Sequence, residues 1–347
     1  MNKKPLGPAE RLARKNAFDG SLVMGVKKFH QATGRDRHQQ TRWDQLLDPA
    51  TGLLRRDLAQ TRPCPICGGG FDRPLFIKEG FPHGRCDGCG LIFVNPVLRD
   101  ERVLEHYRSE SSWVQVLESA TQVELDRLKY TYGLDLAGPY LAGNSLLDVG
   151  AGTGLFLKTA QALDFDPLGV ELHRENAARL RREGFTVIDR PLEEAGLAPG
   201  RFDLVSLWEV LEHIVHPDRL LEEIRRILKP EGVLLILVPN VDALSARVLH
   251  EKSGAFGGHS HVNCFNGPTL ARLLSRTGFE VLEMETIITE LGAINNHLGF
   301  EDPYLGEAPA VMDFITPELI HDRLLGGKLL ALAKKNPPAN LEKENIK

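Results

Sequence analysis

The chain has 347 residues, a formal net charge of -5 and a pI near 6.2. That length allows one large domain plus a smaller module with a sizeable buried core, and the acidic balance argues against generic nucleic-acid binding. No apolar run approaches the ~18 residues that a membrane span needs. The charged start, Met1-Asn2-Lys3-Lys4-Pro5, has no apolar region behind it and is not a secretory signal. The expectation is a cytoplasmic protein without a membrane span.

Residues 1–60 are rich in charge and glutamine, with short helical pieces expected at Arg11 to Lys15 and Val26 to Phe29. They show no core of their own, which suggests a charged arm, mobile or wrapped on the main domain. Residues 61–97 carry Cys64-Pro65-Ile66-Cys67-Gly68 and Cys86-Asp87-Gly88-Cys89-Gly90. Two such pairs, this far apart, have the spacing of a four-cysteine zinc site. Thiolates two residues apart grip one tetrahedral ion from a single turn, and the glycine lets the backbone pass beneath the sulfurs. Two disulfides fit a cytoplasmic chain poorly. Phe71 to Lys78 and Leu91 to Val94 are the expected strands of a zinc ribbon, in which the metal is structural.

After Asn95-Pro96, residues 98–140 are a helical lid or linker, with helix at Asp100 to Tyr107 and again within Trp113 to Tyr140. Tyr107 and Trp113 are its candidate ligand contacts, set against a packing role. From Leu146 strand and helix alternate, which implies a mostly parallel sheet covered on both faces. Leu146 and Leu147 end the first strand, Gly150, Gly152 and Gly154 make a bare turn, and Leu155 opens a helix. Backbone this exposed at a strand–helix junction suits a nucleotide-like ligand. A dinucleotide fingerprint would want its third glycine at 155, which is Leu155.

Asp148-x-Gly150-x-Gly152-x-Gly154 resembles instead the cofactor loop of class I S-adenosylmethionine-dependent methyltransferases. The resemblance covers about residues 140 to 335 and implies S-adenosylmethionine as cofactor, with Asp148 near its methionine amino group. Glu171, at the tip of the second strand, offers two acceptor oxygens to the ribose hydroxyls. Asp189, after the third strand at Thr186 to Ile188, is a candidate for the adenine amino group. The fourth strand, Phe202 to Leu207, is followed by Trp208, counted with the cofactor-binding residues. The fifth is Val233 to Val238, introduced by the Lys229-Pro230-Glu231-Gly232 turn.

Glu209-Val210-Leu211-Glu212-His213 leaves the fourth strand, and Gly257-Gly258-His259-Ser260-His261 follows the fifth, both at the carboxyl edge where ligands bind in open α/β sheets. Two carboxylates and an imidazole this close call for a cation or strong pKa shifts. The Glu-x-x-Glu-His pattern with a later His is similar to the divalent-metal site of small-RNA 2′-O-methyltransferases and of the O-methyltransferases of ubiquinone synthesis. Carried over, Glu209, Glu212, His213 and His261 become ligands of Mg²⁺ or Mn²⁺, and Glu212, His213 and His261 the catalytic set. Glu-His at this place also occurs in relatives that bind no metal, where the His packs or acts as a base. His259 is a spare histidine and Cys264 a packed thiol.

Leu270 to Thr277 is a helix, Phe279 to Glu285 the sixth strand and Leu329 to Ala333 the seventh. Between them residues 286–325, with Asn295, Asn296, His297 and Tyr304, are placed to build the acceptor pocket, and residues 336–347 read as a disordered tail. The fold class is therefore α/β, a doubly wound seven-stranded Rossmann-like methyltransferase sheet behind a small four-cysteine zinc ribbon. The ribbon also resembles that of a bacterial subgroup whose members often modify sugars of surface polysaccharides or natural products, and with the metal-site resemblance this implies O-methylation of a small-molecule or glycan acceptor. Metal-free C-methylation of a nucleotide-linked keto-sugar, or a non-catalytic binding module, are the alternatives.

Overall fold

The first short strands pair locally, and the later ones build the sheet that carries the site. The computed structural model describes residues 4–21, 44–109, 114–299 and 312–336. Within the expected ribbon lie β2 (Phe76–Lys78), β3 (Phe81–Arg85) and β4 (Ile92–Val94), and at its two ends β1 (Ala59–Gln60) pairs with β5 (Val97–Leu98). The hairpin thus has one strand more than the sequence suggested, because Phe81–Arg85 pairs with both β2 and β4. Behind it come β6 (Ser145–Val149), β7 (Asp166–Val170), β8 (Thr186–Ile188), β9 (Phe202–Trp208), β10 (Leu228–Pro239), β11 (Asn263–Cys264), β12 (Phe279–Ile287) and β13 (Lys328–Lys335).

All of the second group except β11 form one seven-stranded sheet in the order β12-β13-β10-β9-β6-β7-β8. β13 runs antiparallel to both neighbours, and the pairs from β10 through to β8 are parallel. The chain builds outward from β6 to β8 and then returns to the other side of β6 with β9. That reversal puts a crevice at the carboxyl ends of β6 and β9. The Lys229 to Gly232 turn sits inside β10 as a register shift between Leu228 and Val233, which makes this strand longer than expected.

Side chains alternate across the pleat, so adjacent residues serve opposite cores. Leu146, Leu204 and Leu235 pack with Tyr132 and Phe156 on one face, whereas Leu147, Val205 and Leu234 pack with Leu221 and Ile224 on the other. Leu220, Leu221, Ile224 and Ile227 recur at helical spacing on Pro217–Ile227, with proline at the first turn. The ribbon joins the second core through Cys64, Ile66 and Phe93.

The N-terminal arm lies wrapped on the main domain and contributes to its core. Pro8–Ser21 is a helix whose Phe18 is fully buried, edge-on to Tyr132 with ring centroids 5.6 Å apart. Arg14 pairs with Asp135 at 2.8 Å, Lys15 pairs with Glu285 at 2.9 Å, and Arg11 meets Glu283. The arm therefore covers the helix Ala120–Ala137. Val26 to Phe29, Trp113, Tyr304 and the tail beyond residue 336 lie outside the described residues, and among the described ones no helix is long and apolar enough to cross a membrane.

Deleting a buried ring leaves a cavity as well as a lost transfer term. Phe18→Ala is expected to lower the free energy of unfolding by about 3 kcal/mol, measured by urea titration; a loss below about 1 kcal/mol would mean that the arm adds nothing to the core.

Candidate functional site

The three glycines of the turn after β6 have separate jobs. All have positive φ, which only glycine adopts freely. A Cβ on Gly150 would lie 2.7 Å from Val210, and one on Gly154 would lie 2.1 Å from Leu180. Those two let the turn pack. A Cβ on Gly152 would approach only its own loop, 3.9 Å from the Gly150 carbonyl. Gly152 is the open floor.

Two acids border that floor. Asp148 is buried in β6 and accepts from Ser206 Oγ at 2.7 Å. Glu171 follows β7 and accepts from Gly152 N at 2.5 Å and His173 N at 2.6 Å. Burial pushes the carboxyls of both Asp148 and Glu171 up to about 7. A ligand bringing positive charge to Asp148 and hydroxyl donors to Glu171 would relieve that strain. Trp208, Tyr130 and Phe156 make an aromatic wall beside them, with Trp208 and Tyr130 centroids 4.8 Å apart. Asp189 stands apart, an exposed residue whose carboxylate pairs with Arg181 at 3.1 Å.

β9 ends in a turn that the sequence did not signal. Glu209 has φ 55, a left-handed conformation uncommon outside glycine, and its N–H donates to Leu237 O at 2.9 Å. The reversal leads into a short 3-10 helix, Leu211–His213, with Glu212 only 1% exposed. Neither Glu212 oxygen has a hydrogen-bond partner. Such a group calls for an explanation.

His213 and His261 supply one. Their rings lie 5.0 Å apart at 66°. His213 Nδ1 lies 2.8 Å from Ser260 O, and His261 Nδ1 lies 3.1 Å from Ala255 O. Donation of Nδ1–H to a carbonyl fixes the tautomer and leaves each Nε2 as a lone pair, the arrangement of metal-ligating histidines. One donor atom from each of Glu212, His213 and His261 lies within 4.8 Å of the others. Burial, with Glu209 adding to it, pushes the Glu212 carboxyl up to about 8. Burial also draws His213 down to about 4 and His261 well below its ordinary value. Without a cation this cluster holds itself neutral. The donor set, one carboxylate and two imidazoles with open positions, fits a divalent transition ion.

Glu209, expected as a fourth ligand, is placed otherwise. One oxygen meets Lys328 and the other lies 3.5 Å from Lys129. The pairing takes it out of the donor group because two ammonium ions already claim its carboxylate. Lys129 is buried and also pairs with Asp126 at 2.6 Å. The sequence held a trace of this in Leu125, Lys129, Tyr132 and Leu136, where a lysine interrupts an apolar helical stripe. Lys328 left no such trace. Tyr107 lies beside His213, with ring centroids 6.1 Å apart. In the insertion, Asn296 is buried with its side-chain nitrogen unpartnered.

In the ribbon the four thiols converge. Cys64 and Cys89 Sγ are 3.4 Å apart, Cys67 and Cys86 Sγ 3.3 Å apart, and all four fall within 4.8 Å. The two turns match: Gly68 N donates to Cys64 O and Gly90 N to Cys86 O, each at 2.9 Å, with positive φ at both glycines.

A family profile described as "Methyltransferase domain" matches residues 125–284. The chain is 30% identical over 158 residues to a ubiquinone biosynthesis O-methyltransferase of Thiobacillus denitrificans, covering 42% of this chain and 68% of that one. A protein of the same name from Methylococcus capsulatus is 28% identical over 161 residues, with 42% and 68% covered. An uncharacterised protein of Methanocaldococcus jannaschii is 25% identical over 150 residues, with 43% and 71% covered. Among solved structures, 1,6-didemethyltoxoflavin-N1-methyltransferase of Burkholderia thailandensis aligns with a TM-score of 0.47 and 18% identity, covering 76% of this chain and 100% of that one.

The raised Glu212 carboxyl has a consequence for stability. Between its ordinary value of 4.5 and about 8, the folded protein keeps a proton that the unfolded chain has released, so stability falls as pH rises through that window. In excess chelator, Glu212→Gln is expected to be more stable than the parent near pH 8 by on the order of 1–3 kcal/mol and to differ little near pH 4.5. Urea titrations at the two pH values measure this, and a difference independent of pH would refute the protonated state.

Proposed function

The chain belongs to the S-adenosylmethionine-dependent methyltransferases, and we propose that it methylates a hydroxyl of a sugar or similar small-molecule or glycan acceptor. In this reading Glu212, His213 and His261 hold a divalent cation against the acceptor, and Cys64, Cys67, Cys86 and Cys89 hold a structural zinc. The observation that carries it is the Glu212 carboxylate, buried with neither oxygen hydrogen-bonded, its Oε1 3.9 Å from His213 Nε2, and two fixed imidazole lone pairs beside it. The O-methyltransferase names of the relatives favour oxygen as the acceptor atom. The sugar class rests on the ribbon resemblance.

When bound, S-adenosylmethionine supplies an electrophilic methyl group and the divalent ion supplies Lewis acidity that lowers the pKa of a hydroxyl. The chain's own residues do the rest. Asp148 takes the methionine ammonium, Glu171 the ribose hydroxyls, and Gly152 leaves the floor bare. Trp208, Tyr130 and Phe156 exclude water on one side, which strengthens the charge interactions within. Glu212 would hold a cation as the carboxylate, because ligands bind deprotonated. Two imidazoles favour manganese or iron over magnesium. A metal-free reading, with His213 or His261 as general base, uses the same Nε2 atoms but leaves the Glu212 oxygens without a role.

Methyl transfer is expected to stop in chelator and to return with Mn²⁺, while binding of S-adenosylhomocysteine persists and the ribbon zinc stays in place. Glu212→Ala and His261→Ala should each lose most turnover. Full activity in excess chelator, with zinc retained, would refute the cation. For the cofactor crevice, calorimetry should find S-adenosylhomocysteine weakened by about 1–3 kcal/mol in Glu171→Ala and no binding by Gly152→Val. Binding by Gly152→Val at parental affinity would place the pocket elsewhere.

A further inference from the structure

Arg62 stands two residues before the first ribbon cysteine and is 6% exposed, and among the described residues no carboxylate pairs with it. Burying a cation without a counter-charge is expensive unless its donors are satisfied. Here they are, by oxygens from three separate segments. Nε donates to Val94 O at 3.3 Å, Nη1 to Val215 O at 2.7 Å, and Nη2 to Val262 O at 2.5 Å and Asn263 Oδ1 at 2.9 Å. Val94 belongs to β4 of the ribbon. Val215 lies two positions beyond His213, and Val262 and Asn263 directly follow His261. Asn263 closes the circuit, donating Nδ2 to Ile214 O at 2.7 Å. Only a planar fork of donors can reach three segments from one side chain, and a lysine in its place has a single point of attachment.

We propose that Arg62 is a positioning residue for Glu212, His213 and His261: one guanidinium fixes the two segments that carry the three donor groups and ties both to the ribbon. The proposal rests on reading those three residues as a divalent-cation site. It differs from a general stabilising role in what it spares. None of the four acceptors belongs to the turn Gly150–Gly154 or to Glu171, so the cofactor crevice should not respond.

The test uses the full, zinc-loaded chain with S-adenosylhomocysteine present and titrates Mn²⁺, following the free ion by electron paramagnetic resonance. Arg62→Met is expected to bind Mn²⁺ about 10–100-fold more weakly, the usual effect of removing an outer-shell support, with zinc content and S-adenosylhomocysteine affinity unchanged. Methylguanidinium added to Arg62→Ala should restore part of the Mn²⁺ affinity. Guanidinium ions otherwise weaken folds, so recovery reports replaced hydrogen bonds. Parental Mn²⁺ affinity in Arg62→Met would overturn the assignment, and so would a parallel loss of S-adenosylhomocysteine binding. If the parent itself takes up no Mn²⁺, the cation reading fails alone. Hydrogen exchange then decides the role of Arg62, which predicts faster exchange in residues 211–216 and 259–264 of Arg62→Met and none in 148–154. Should Arg62→Met prove insoluble, Asn263→Ser, which removes the Nδ2 bond to Ile214, must show the same selective loss.

Discussion

The pairing of β11 with β4 is the contact on which the rest of the site depends. It is short, Asn263 against Phe93 and Cys264 against Ile92, with Val94 N donating to Val262 O at 3.0 Å just beyond it. Yet it sews the His261 loop into the sheet of the ribbon, whose order becomes β11-β4-β3-β2. The gain is mutual. β4 loses an open edge, which isolated sheets must otherwise protect, and the loop acquires the register of a strand. The turn between β2 and β3 adds a second grip, with Lys78 Nζ on Ser253 O and Gly258 N on Glu79 Oε2, each at 3.0 Å. A Cβ on Gly258 would come within 2.5 Å of Lys78 O, so this approach requires glycine. Residues that hold chemistry are more accurately placed on such rigid elements than on free loops.

Electrostatically the protein treats its charges in two ways. Away from the crevice many are matched, as in Lys229 with Asp203 at 2.6 Å and Lys15 with Glu285. Within it, Asp148, Glu171 and Glu212 are buried acids raised by desolvation, and His213 and His261 are buried bases lowered by the same cause. Desolvation moves acids up and bases down, so at neutral pH Glu212 and both imidazoles are held mostly neutral, while Asp148 and Glu171 sit near the middle of their titration. Perturbed groups gathered in one cleft are a mark of function. Glu209 separates the two regimes, because Lys129 and Lys328 neutralise it at the border.

Much of this was legible beforehand, and for identifiable reasons. The Asp148 to Gly154 run, Glu171 and the cysteine pairs are local patterns, in which spacing along the chain dictates spacing in the fold. Thr186–Ile188 matches its expected bounds because it is short and Gly184 separates it from the helix Arg174–Arg182 before it. What depended on distant residues was hidden. No local signal connects Glu209 with Lys328 or Arg62 with Val215, since these pairs exist only once the fold has brought their segments together. The docking contacts of the N-terminal helix were hidden for the same reason, beyond the short helical piece at Arg11 to Lys15 and the possible wrap on the main domain. Phe18 is a lone aromatic among charges, and its burial is decided by Tyr132. Asp189 shows the reverse, a residue attractive by position whose neighbour Arg181 claims it.

The place of β13 has a bearing on synthesis. It is the last described strand of the chain but an inner strand of the sheet, lying between β10 and β12. β12 has no other partner there, so while the chain emerges from the ribosome β12 has nothing to pair with and β10 keeps a bare edge. Pairing of sequence-distant strands is slow and leaves such edges exposed meanwhile. The region matched by the family profile ends at residue 284, and so it omits the strand that closes the sheet. Lys328, the first residue of β13, arrives with it and engages Glu209 beside His213 and Glu212. Completion of the sheet and completion of the charge pattern at the cleft are thus one event, and a ribosome-bound chain lacking β13 holds neither.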